Sequence, residues 1–318
     1  MKTILVLLPL QDTQRETLEA AAPGCRFVYA DPAAVTDEQL HAAEIIVGLP
    51  ATGKLAACER LEFLQLSSSG ADLYVKPGVL RPGVVLASAT GAYGQSVAEH
   101  AFAMTWCLLK KLHLYRDDQF RAVWGDHGTV ATLSGATVLV VGLGDIGLYY
   151  ARLCHAVGAY VVGVKRRPSP CPEGVDELCL TDALDEALPR ADVVCSILPG
   201  TASTYHLFDE ERFARMKPGA VFLNCGRGTA VDADALCRAA ENGPLRAAST
   251  DVTEVEPLPA DHPLWQQKNV FITPHISGNF HLPGTLDRIV NISAHNLAAF
   301  LNGGALTSRI DFQTGYKA

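Results

Sequence analysis

The sequence lacks the features of a membrane protein, a disulfide-bonded secreted domain and a nucleic-acid binder. Its nine cysteines are an odd number, and no two of them have C-x-x-C spacing, which argues against a disulfide framework and a zinc site. No apolar stretch approaches the roughly 20 residues of a membrane-spanning helix. The net charge is −8, and no long basic block is present. These absences predict a cytoplasmic protein without a metal and without a nucleic-acid or membrane partner.

The first residues also lack the pattern of a secretion signal. The segment MKTILVLLPL has one lysine and a short apolar run, and no small-residue cleavage site follows it. We therefore predict an initial β-strand over residues 4–8. The 318 residues are enough for two domains, and a hydrophobic content of 48% is ordinary for a globular protein. Four cysteines in apolar segments are predicted to be buried: Cys107, Cys154, Cys195 and Cys225.

Three glycines form the strongest motif of the chain. Residues 137–147, TVLVVGLGDIG, place Gly142, Gly144 and Gly147 with G-x-G-x-x-G spacing after a short apolar run. A helical pattern follows over residues 148–157. Strand, glycine turn and helix in this order predict a dinucleotide-binding unit, in which the turn lets the backbone approach a pyrophosphate at the helix start. The alternative is an ordinary glycine-rich turn of an α/β protein.

Strands and helices alternate along the whole chain, which predicts α/β architecture with parallel sheets. The first third has the pattern of a small doubly wound domain, and a second such pattern surrounds the glycine turn. The longest helical pattern without a breaker covers residues 95–114 and is apolar almost all round. Glu99 and His100 near its start are interpreted as polar contacts at a domain junction rather than as catalytic groups.

The end of the second strand of the dinucleotide unit indicates which cofactor binds. An acidic residue roughly 20 positions after the glycines meets the ribose 2′-hydroxyl of NAD. Here Lys165 lies 165 − 147 = 18 positions after the last glycine, Arg166 and Arg167 follow it, and residues 162–169 contain no carboxylate. Cations at this position favour a 2′-phosphate, so we predict NADP(H), with NAD(H) as the alternative. A solvated basic turn would also explain the triplet.

Three predicted strand ends of the second half carry side chains with suitable chemistry. They supply Arg227 after AVFLN, Glu256 in DVTEVEP and His275 in ITPHISG. Ligands of open α/β sheets bind at such ends. A histidine can deliver a proton to a forming alkoxide, a carboxylate can fix its tautomer, and an arginine can bind a keto acid. The alternatives are that Arg227 caps a turn, that Glu256 is an ordinary acidic residue of a loop and that His275 has a structural role.

A polar loop at residues 67–72, SSSGAD, follows a predicted strand of the first domain. Small residues and glycine let backbone amides face outward, so the loop could hold an anion such as a substrate carboxylate. An ordinary polar turn explains the composition equally well. The two interpretations stay open on the residues alone.

The motifs together resemble the D-isomer-specific 2-hydroxyacid dehydrogenase family. The resemblance is carried, in family order over most of the chain, by SVAEHAFAM, VGLGDIG, LPGTAST, MKPGAVFLNCGRGTAVD, DVTEVEPLP and ITPHISG. It implies that Arg227 binds the substrate, that His275 is the proton donor and that Glu256 orients it. It also implies that Ser69 and Gly70 hold the substrate carboxylate through their amides.

The same resemblance implies the cofactor contacts and the domain order. The implied contacts are Gly142, Gly144, Asp145, Ile146 and Gly147 at the pyrophosphate, Pro199 and Thr204 on the adenosine side, and Cys225, Asp251, His275 and Gly278 towards the nicotinamide. Lys165, Arg166 and Arg167 at the ribose are predicted from their position and charge and depart from the NAD-type pattern of the family. A Rossmann-type cofactor domain at residues 98–284 would be inserted into a flavodoxin-like substrate domain of residues 1–97 and 285–318. A homodimer is implied as well.

These expectations add up to an NADPH-preferring reductase of a small 2-keto acid, such as glyoxylate or hydroxypyruvate, that yields a D-2-hydroxy acid. NAD-dependent oxidation is the alternative within the class, and a dinucleotide-sensing protein on the same fold is the alternative outside it. One departure from the family concerns the substrate side. The usual Asn before a Pro-Ala turn is replaced in residues 89–94, where Tyr93 occurs, and the substrate pocket stays undetermined.

Overall fold

The computed structural model describes residues 1–317, which divide into two compact units. The first unit contains Met1–Tyr93 and the chain from Phe280 onward, and the second contains Gly94–Asn279. The chain thus leaves the first unit, builds the second, and returns. The boundaries expected from the sequence, after residues 97 and 284, lie a few residues further along the chain.

The strands belong to two parallel sheets and one small hairpin. In chain order they are β1 Thr3–Leu7, β2 Arg26–Tyr29, β3 Ile45–Gly48, β4 Phe63–Gln65, β5 Val85–Ala87, β6 Thr137–Val141, β7 Tyr160–Lys165, β8 Glu177–Leu180, β9 Val193–Ser196, β10 Ala220–Asn224, β11 Leu245–Thr250, β12 Val270–Ile272, β13 Ile310–Asp311 and β14 Tyr316–Lys317.

The helices connect these strands or close the units. In chain order they are α1 Asp12–Ala21, α2 Asp37–Ala42, α3 Gly94–Leu109, α4 Leu112–Phe120, α5 Asp145–Ala156, α6 Leu184–Ala187, α7 Glu210–Ala214, α8 Ala233–Glu241 and α9 Thr285–Leu301. Polar caps start several of them: the Asp232 side chain accepts from two amides of the first turn of α8, and the Asp209 side chain accepts from the Arg212 amide in α7.

The first unit is built on a five-stranded sheet of order β2-β1-β3-β4-β5, the flavodoxin-like order. The apolar run of β1 is buried on both faces because helices cover both sides of a parallel sheet. α9, from the returning chain, packs on α1, and the Gln14 side chain donates from Nε2 to the Asp287 carboxylate at 2.6 Å. The returning segment therefore completes the core of this unit.

The second unit is built on a seven-stranded parallel sheet of order β12-β11-β10-β9-β6-β7-β8. The strand order reverses between β6 and β9, which is the topological switch point of a dinucleotide-binding sheet. Chain segments that follow β6, β7, β9, β10, β11 and β12 all emerge at the carboxyl edge. Both parallel sheets confirm the fold class expected from the sequence.

Three local expectations are wrong. The predicted single helix over residues 95–114 is two helices, because Lys111 takes a left-handed conformation with φ 58° between α3 and α4. β8 and the β13–β14 hairpin were missed, since short strands with partly exposed residues lack a clear apolar pattern. Cys107 is half-buried rather than buried, whereas Cys154, Cys195 and Cys225 are buried as expected. All nine cysteines are free thiols.

Among residues 1–317, no helix combines the length and the apolar character that crossing a bilayer requires.

Candidate active site

The glycine turn after β6 is closely packed. Gly142 has φ 107°, and a Cβ there would lie 2.5 Å from the Ile197 carbonyl oxygen. A Cβ on Gly147 would lie 2.1 Å from the Gly142 carbonyl oxygen, so only glycine lets α5 start this close to the strand. Gly144 is the N-cap of α5, and Ile146 follows in its first turn, where helix amides have no carbonyl partner within the helix. The turn therefore fits the pyrophosphate of a dinucleotide.

Asp145, also in this turn, directs its carboxylate towards the start of α3. A Cβ on Gly94 would lie 2.5 Å from its Oδ2 atom. The glycine at position 94 thus makes room for the acidic side chain of the turn.

The end of β7 carries the three cations. Lys165 donates from Nζ to the Ser169 hydroxyl at 2.9 Å. Arg166 and Arg167 are exposed and form no hydrogen bond or ion pair with any residue in 1–317. Their guanidinium groups are therefore available for a ligand at the carboxyl edge of the sheet.

The loop after β9 holds the expected adenosine-side residues. The Thr204 hydroxyl donates to the Pro199 carbonyl at 2.6 Å and accepts from the Thr201 amide at 3.0 Å. These bonds close the loop on itself and fix its half-buried threonine. Cys225, at the end of β10, is buried, and burial raises the pKa of its thiol, so it stays protonated and is not a nucleophile.

His275 and Glu256 meet at the ends of β12 and β11. The distance between His275 Nδ1 and Glu256 Oε2 is 2.7 Å, and the other carboxylate oxygen, Oε1, accepts from the Thr253 amide at 3.0 Å. A carboxylate can only accept, so Nδ1 carries the proton and Nε2 is left for a ligand. Both side chains are partly exposed, at 49% and 38%.

The backbone of His275 is in the left-handed region, with φ 52°. Its amide donates to the Asp251 carbonyl at 2.7 Å. The Asp251 carboxylate accepts from the Thr273 hydroxyl at 2.6 Å and from the amides of Ile276 and Ser277 at 3.0 and 3.1 Å. Burial opposes its ionisation, but these hydrogen bonds outweigh burial and hold the pKa of Asp251 below its usual value. Asp251 is thus a buried anion that fixes the segment around His275.

Arg227 lies in the loop after β10 and is half-buried. Its Nη1 donates to the Gly226 carbonyl at 3.0 Å. Asn224 ties the same loop twice, because its Nδ2 donates to the Arg227 carbonyl at 3.1 Å and its Oδ1 accepts from the Gly226 amide at 3.3 Å. Asn224 and Thr273 were not among the predicted site residues. Their signal in the sequence is a polar residue where an apolar strand ends.

In the loop after β4 of the first unit, backbone carbonyls accept hydrogen bonds from neighbouring groups. The Tyr93 hydroxyl donates to the Ser67 carbonyl at 2.6 Å, the Ala89 amide to the Ser68 carbonyl at 2.9 Å, and the Ser68 hydroxyl to the Gly70 carbonyl at 2.7 Å. Within residues 1–317 the amides of Ser69 and Gly70 donate to no group. This arrangement presents donors without acceptors, which favours an anion over an ordinary polar turn.

The family follows from a match over the second unit. Residues 102–277 match the model of the D-isomer specific 2-hydroxyacid dehydrogenase, NAD binding domain. The chain belongs to this family. It is accordingly an NAD(P)-dependent D-2-hydroxyacid dehydrogenase, and the recognition, the fold class and the enzyme class expected from the sequence are confirmed.

Individual family members are similar over most of the chain. A glyoxylate reductase from Thermofilum pendens is 31% identical over 78% of this chain and 74% of its own length. The crystal structure of a family protein from Aeromonas salmonicida is 34% identical, with a TM-score of 0.85 over 98% of this chain and 99% of that one. A further crystal structure is that of an NADPH-dependent glyoxylate/hydroxypyruvate reductase from Sinorhizobium meliloti in complex with NADP and sulfate. It is 26% identical, with a TM-score of 0.83 over 99% of this chain and 100% of that one.

The predicted site residues fall into two groups by unit. The second unit brings together, along one sheet edge, the glycine turn, the cations after β7, and the strand ends that carry Arg227, Glu256 and His275. Gly278 follows the His275 segment and is half-buried. Ser69 and Gly70 belong to the first unit.

Proposed function

We propose that this dehydrogenase works as an NADPH-preferring reductase that converts a small 2-keto acid, of the glyoxylate or hydroxypyruvate type, to a D-2-hydroxy acid. The observation that carries the proposal is the 2.7 Å contact between His275 Nδ1 and Glu256 on the strand ends next to that of Arg227. When bound, the reduced nicotinamide supplies the hydride. The names of the similar reductases support the substrate class.

His275 supplies the proton in this proposal. In the imidazolium form, Glu256 accepts from Nδ1–H, and Nε2–H gives its proton to the alkoxide that forms on the substrate carbon, which leaves a neutral ring with its proton on Nδ1. The carboxylate also stabilises the charged imidazolium before transfer. The rigid backbone hydrogen bonds to Asp251 keep the donor in one place, which reduces the entropy that proton transfer would otherwise cost.

Arg227, Ser69 and Gly70 bind the substrate in this proposal. The guanidinium of Arg227 provides a charged donor for the keto-acid oxygens and polarises the carbonyl. The uncommitted amides of Ser69 and Gly70 donate to the carboxylate. Both sets match an anionic substrate.

Arg166 and Arg167, with Lys165, bind the 2′-phosphate in this proposal, because all three are cationic and the two arginines are exposed and bond no other residue in 1–317. The glycine turn binds the pyrophosphate through amides at the start of α5. The further cofactor contacts that we propose are Asp145, Ile146, Pro199, Thr204, Cys225, Asp251 and Gly278. Residues 1–97 and 285–318 form the substrate domain in this scheme, and residues 98–284 form the cofactor domain.

A homodimer is part of the proposal. Phe120, the last residue of α4, is 75% exposed, and Val123 and Trp124, which follow shortly after the helix, are 51% and fully exposed. Exposed apolar clusters of this kind mark protein–protein contacts. A second copy of the chain is the partner that we propose.

A screen of 2-keto acids with NADPH tests the function, read as loss of the nicotinamide absorbance. We expect glyoxylate or hydroxypyruvate to be reduced and His275→Asn to lose at least about a hundredfold in kcat, the usual contribution of a general acid. The Kd of NADPH for the variant, measured by fluorescence, should stay within about threefold, because the loss of one hydrogen bond changes a dissociation constant by about that factor. Full activity of His275→Asn would remove His275 from this role.

The matched control is His295→Asn, because His295 is exposed on α9. Its activity should equal that of the unmodified enzyme. If no 2-keto acid is reduced with either NADPH or NADH, the proposed reaction is wrong.

A further inference from the structure

α3 presents two polar side chains to the segment that carries His275. Ser96 and His100 are four residues apart, so they lie on the same face of the helix, one turn from each other. The Ser96 hydroxyl donates to the Ser277 carbonyl at 2.7 Å. His100 Nε2 lies 3.1 Å from the Thr273 hydroxyl. The two contacts hold opposite ends of residues 273–277.

The direction of the His100 contact follows from counting protons. The Thr273 hydroxyl has one proton, and its 2.6 Å contact with the Asp251 carboxylate uses it. The hydroxyl therefore accepts from His100, which must carry its proton on Nε2. A chain of donors runs from His100 through Thr273 to Asp251.

The surroundings of His100 favour its neutral form. Its side chain is only 17% exposed and lies 3.9 Å from Asp251. Burial lowers the pKa of His100, and the charge of Asp251 only partly opposes this. A neutral imidazole with its proton on Nε2 is a fixed single donor, which suits a structural contact rather than proton transfer.

The held segment needs external support because its centre is strained. A non-glycine residue in the left-handed region costs roughly 1–2 kcal/mol. His275 occupies that region with φ 52°. Such a conformation persists only where surrounding contacts fix it. Asp251 accepts hydrogen bonds from Thr273, His275, Ile276 and Ser277. The helix α3 adds one contact at each end of the segment.

We propose that Ser96 and His100 are positioning residues for the proton donor, which they hold against Glu256 by clamping Thr273 and Ser277. The proposal rests on the role of His275 in the proposed function. It changes the interpretation of His100 from a junction contact to a support of the reacting group. The role is specific to α3, because a purely packing role would need neither the hydroxyl nor the ring N–H.

The test compares three variants with a matched control. Ser96→Ala removes one hydroxyl, His100→Leu removes the ring donor, and His100→Gln retains an N–H that can reach Thr273. The control is Gln95→Ala, because Gln95 is on the same helix and, within residues 1–317, its side chain bonds only the exposed Glu99, at 2.9 Å. Ser96→Ala is the smallest change and guards against a fold loss in His100→Leu.

The first readout is amide hydrogen exchange by mass spectrometry on peptides covering residues 273–278, with no substrate present. We expect exchange at Ile276 and Ser277 to rise about fivefold in Ser96→Ala and His100→Leu, the equivalent of about 1 kcal/mol for each hydrogen bond to the segment. His100→Gln and Gln95→Ala should exchange as the unmodified enzyme does. Unchanged exchange in both Ser96→Ala and His100→Leu would overturn the proposal.

The second readout is steady-state kinetics with the keto acid found by the screen. We expect kcat to fall about tenfold in His100→Leu, with the Kd of NADPH within about threefold, because a small displacement of a reacting group affects the chemical step most. His100→Gln should recover most of kcat. Faster exchange with unchanged kcat in an active enzyme would also overturn the positioning role.

The two readouts separate this inference from the proposed function. If the unmodified enzyme reduces no 2-keto acid, the proposed function fails. The exchange measurement still decides then whether α3 holds the segment.

Discussion

At the scale of single residues, the proposed preference for NADPH depends on Arg166 and Arg167. We predict that the double variant Arg166→Ala and Arg167→Ala loses at least about 100-fold in kcat/KM for NADPH, since two hydrogen bonds to a charged group are removed and each contributes roughly 1.5–3 kcal/mol. The value for NADH should stay within about twofold, because NADH has no phosphate there. Steady-state kinetics with both cofactors measures the ratio.

The control for this ratio is Arg190→Ala. Arg190 bonds Glu177 at 2.7 Å, at the first residue of β8 and so at the opposite edge of the sheet. Arg190→Ala should lower kcat/KM neither for NADPH nor for NADH. Equal values of kcat/KM for NADPH and NADH in the unmodified enzyme would contradict the cofactor proposal.

Tyr93 shapes the loop that presents the amides of Ser69 and Gly70. Burial raises the pKa of Tyr93 to about 12, so the hydroxyl stays protonated and keeps donating to the Ser67 carbonyl. We predict that Tyr93→Phe raises the KM for the keto acid about fivefold, equivalent to about 1 kcal/mol for a lost hydrogen bond, with a smaller change in kcat.

The comparison variant is Tyr29→Phe. Tyr29 is in the same unit, and its hydroxyl bonds Glu19 at 2.9 Å, far along the chain from the loop. Its KM should not change. A KM for Tyr93→Phe equal to that of the unmodified enzyme would show that the loop does not bind the substrate.

Residues with distinctive chemistry are easier to predict from the sequence than the residues that support them. His275, Glu256 and Arg227 stand at strand ends that an apolar pattern reveals, so their candidacy is visible without coordinates. The link from His100 through Thr273 to Asp251 depends on how α3 packs on the sheet. No local pattern encodes that packing, and the link was therefore missed.

At the scale of elements, the strand–turn–helix unit was predictable because the apolar pattern, the spacing of the glycines and the residues that end the helix all indicate the same structure. The break between α3 and α4 was not, since the sequence has neither glycine nor proline there. Lys111 takes the left-handed conformation at a cost of roughly 1–2 kcal/mol. Its side chain donates to the His127 carbonyl, a contact distant in sequence that offsets part of this cost.

The segment after α4 is ordered and apolar, which makes it testable as an interface. Asp118 accepts from His127 Nε2 at 2.7 Å, so the segment is anchored rather than frayed. We predict that the unmodified protein sediments at twice the 34.0 kDa mass of the chain. Phe120→Ser with Trp124→Ser should sediment as a monomer, because the variant removes the largest exposed apolar side chains of the cluster.

Phe312→Ser is the matched control, since Phe312 is 43% exposed in the other unit. It should leave the sedimenting mass unchanged. A dimer that persists in the double variant would place the interface elsewhere.

At the scale of the whole molecule, the buried His113 contributes to the response of stability to acid. Burial lowers the pKa of His113 from 6.5, which outweighs the effect of the Cys107 backbone, and His113 is only 6% exposed. The unfolded chain therefore binds more protons than the folded chain as the pH falls below 6.5. The stability that the neutral ring contributes is complete above that pH and is lost below it.

We predict that His113→Leu reduces this acid sensitivity. The free energy of unfolding in urea should fall less between pH 7 and pH 5.5 than in the unmodified protein, by on the order of 1 kcal/mol, because the pKa of a lost histidine can no longer differ between the two states. In the control His295→Gln, at an exposed position, the free energy of unfolding should fall between pH 7 and pH 5.5 as much as in the unmodified protein. An identical acid response of His113→Leu would show that other groups determine it.

The returning chain has a consequence for the order of folding during synthesis. The second unit is one continuous stretch, Gly94–Asn279, whereas α9, which packs on α1, follows Phe280. The buried Asn296 side chain donates to the Gln65 side chain at 2.7 Å across this gap. The first segment thus leaves the ribosome without its closing helix and must wait through the synthesis of the whole inserted unit. At roughly 5–20 residues per second, that interval lasts on the order of ten seconds or longer, during which the apolar surface that α9 covers in the folded protein stays exposed.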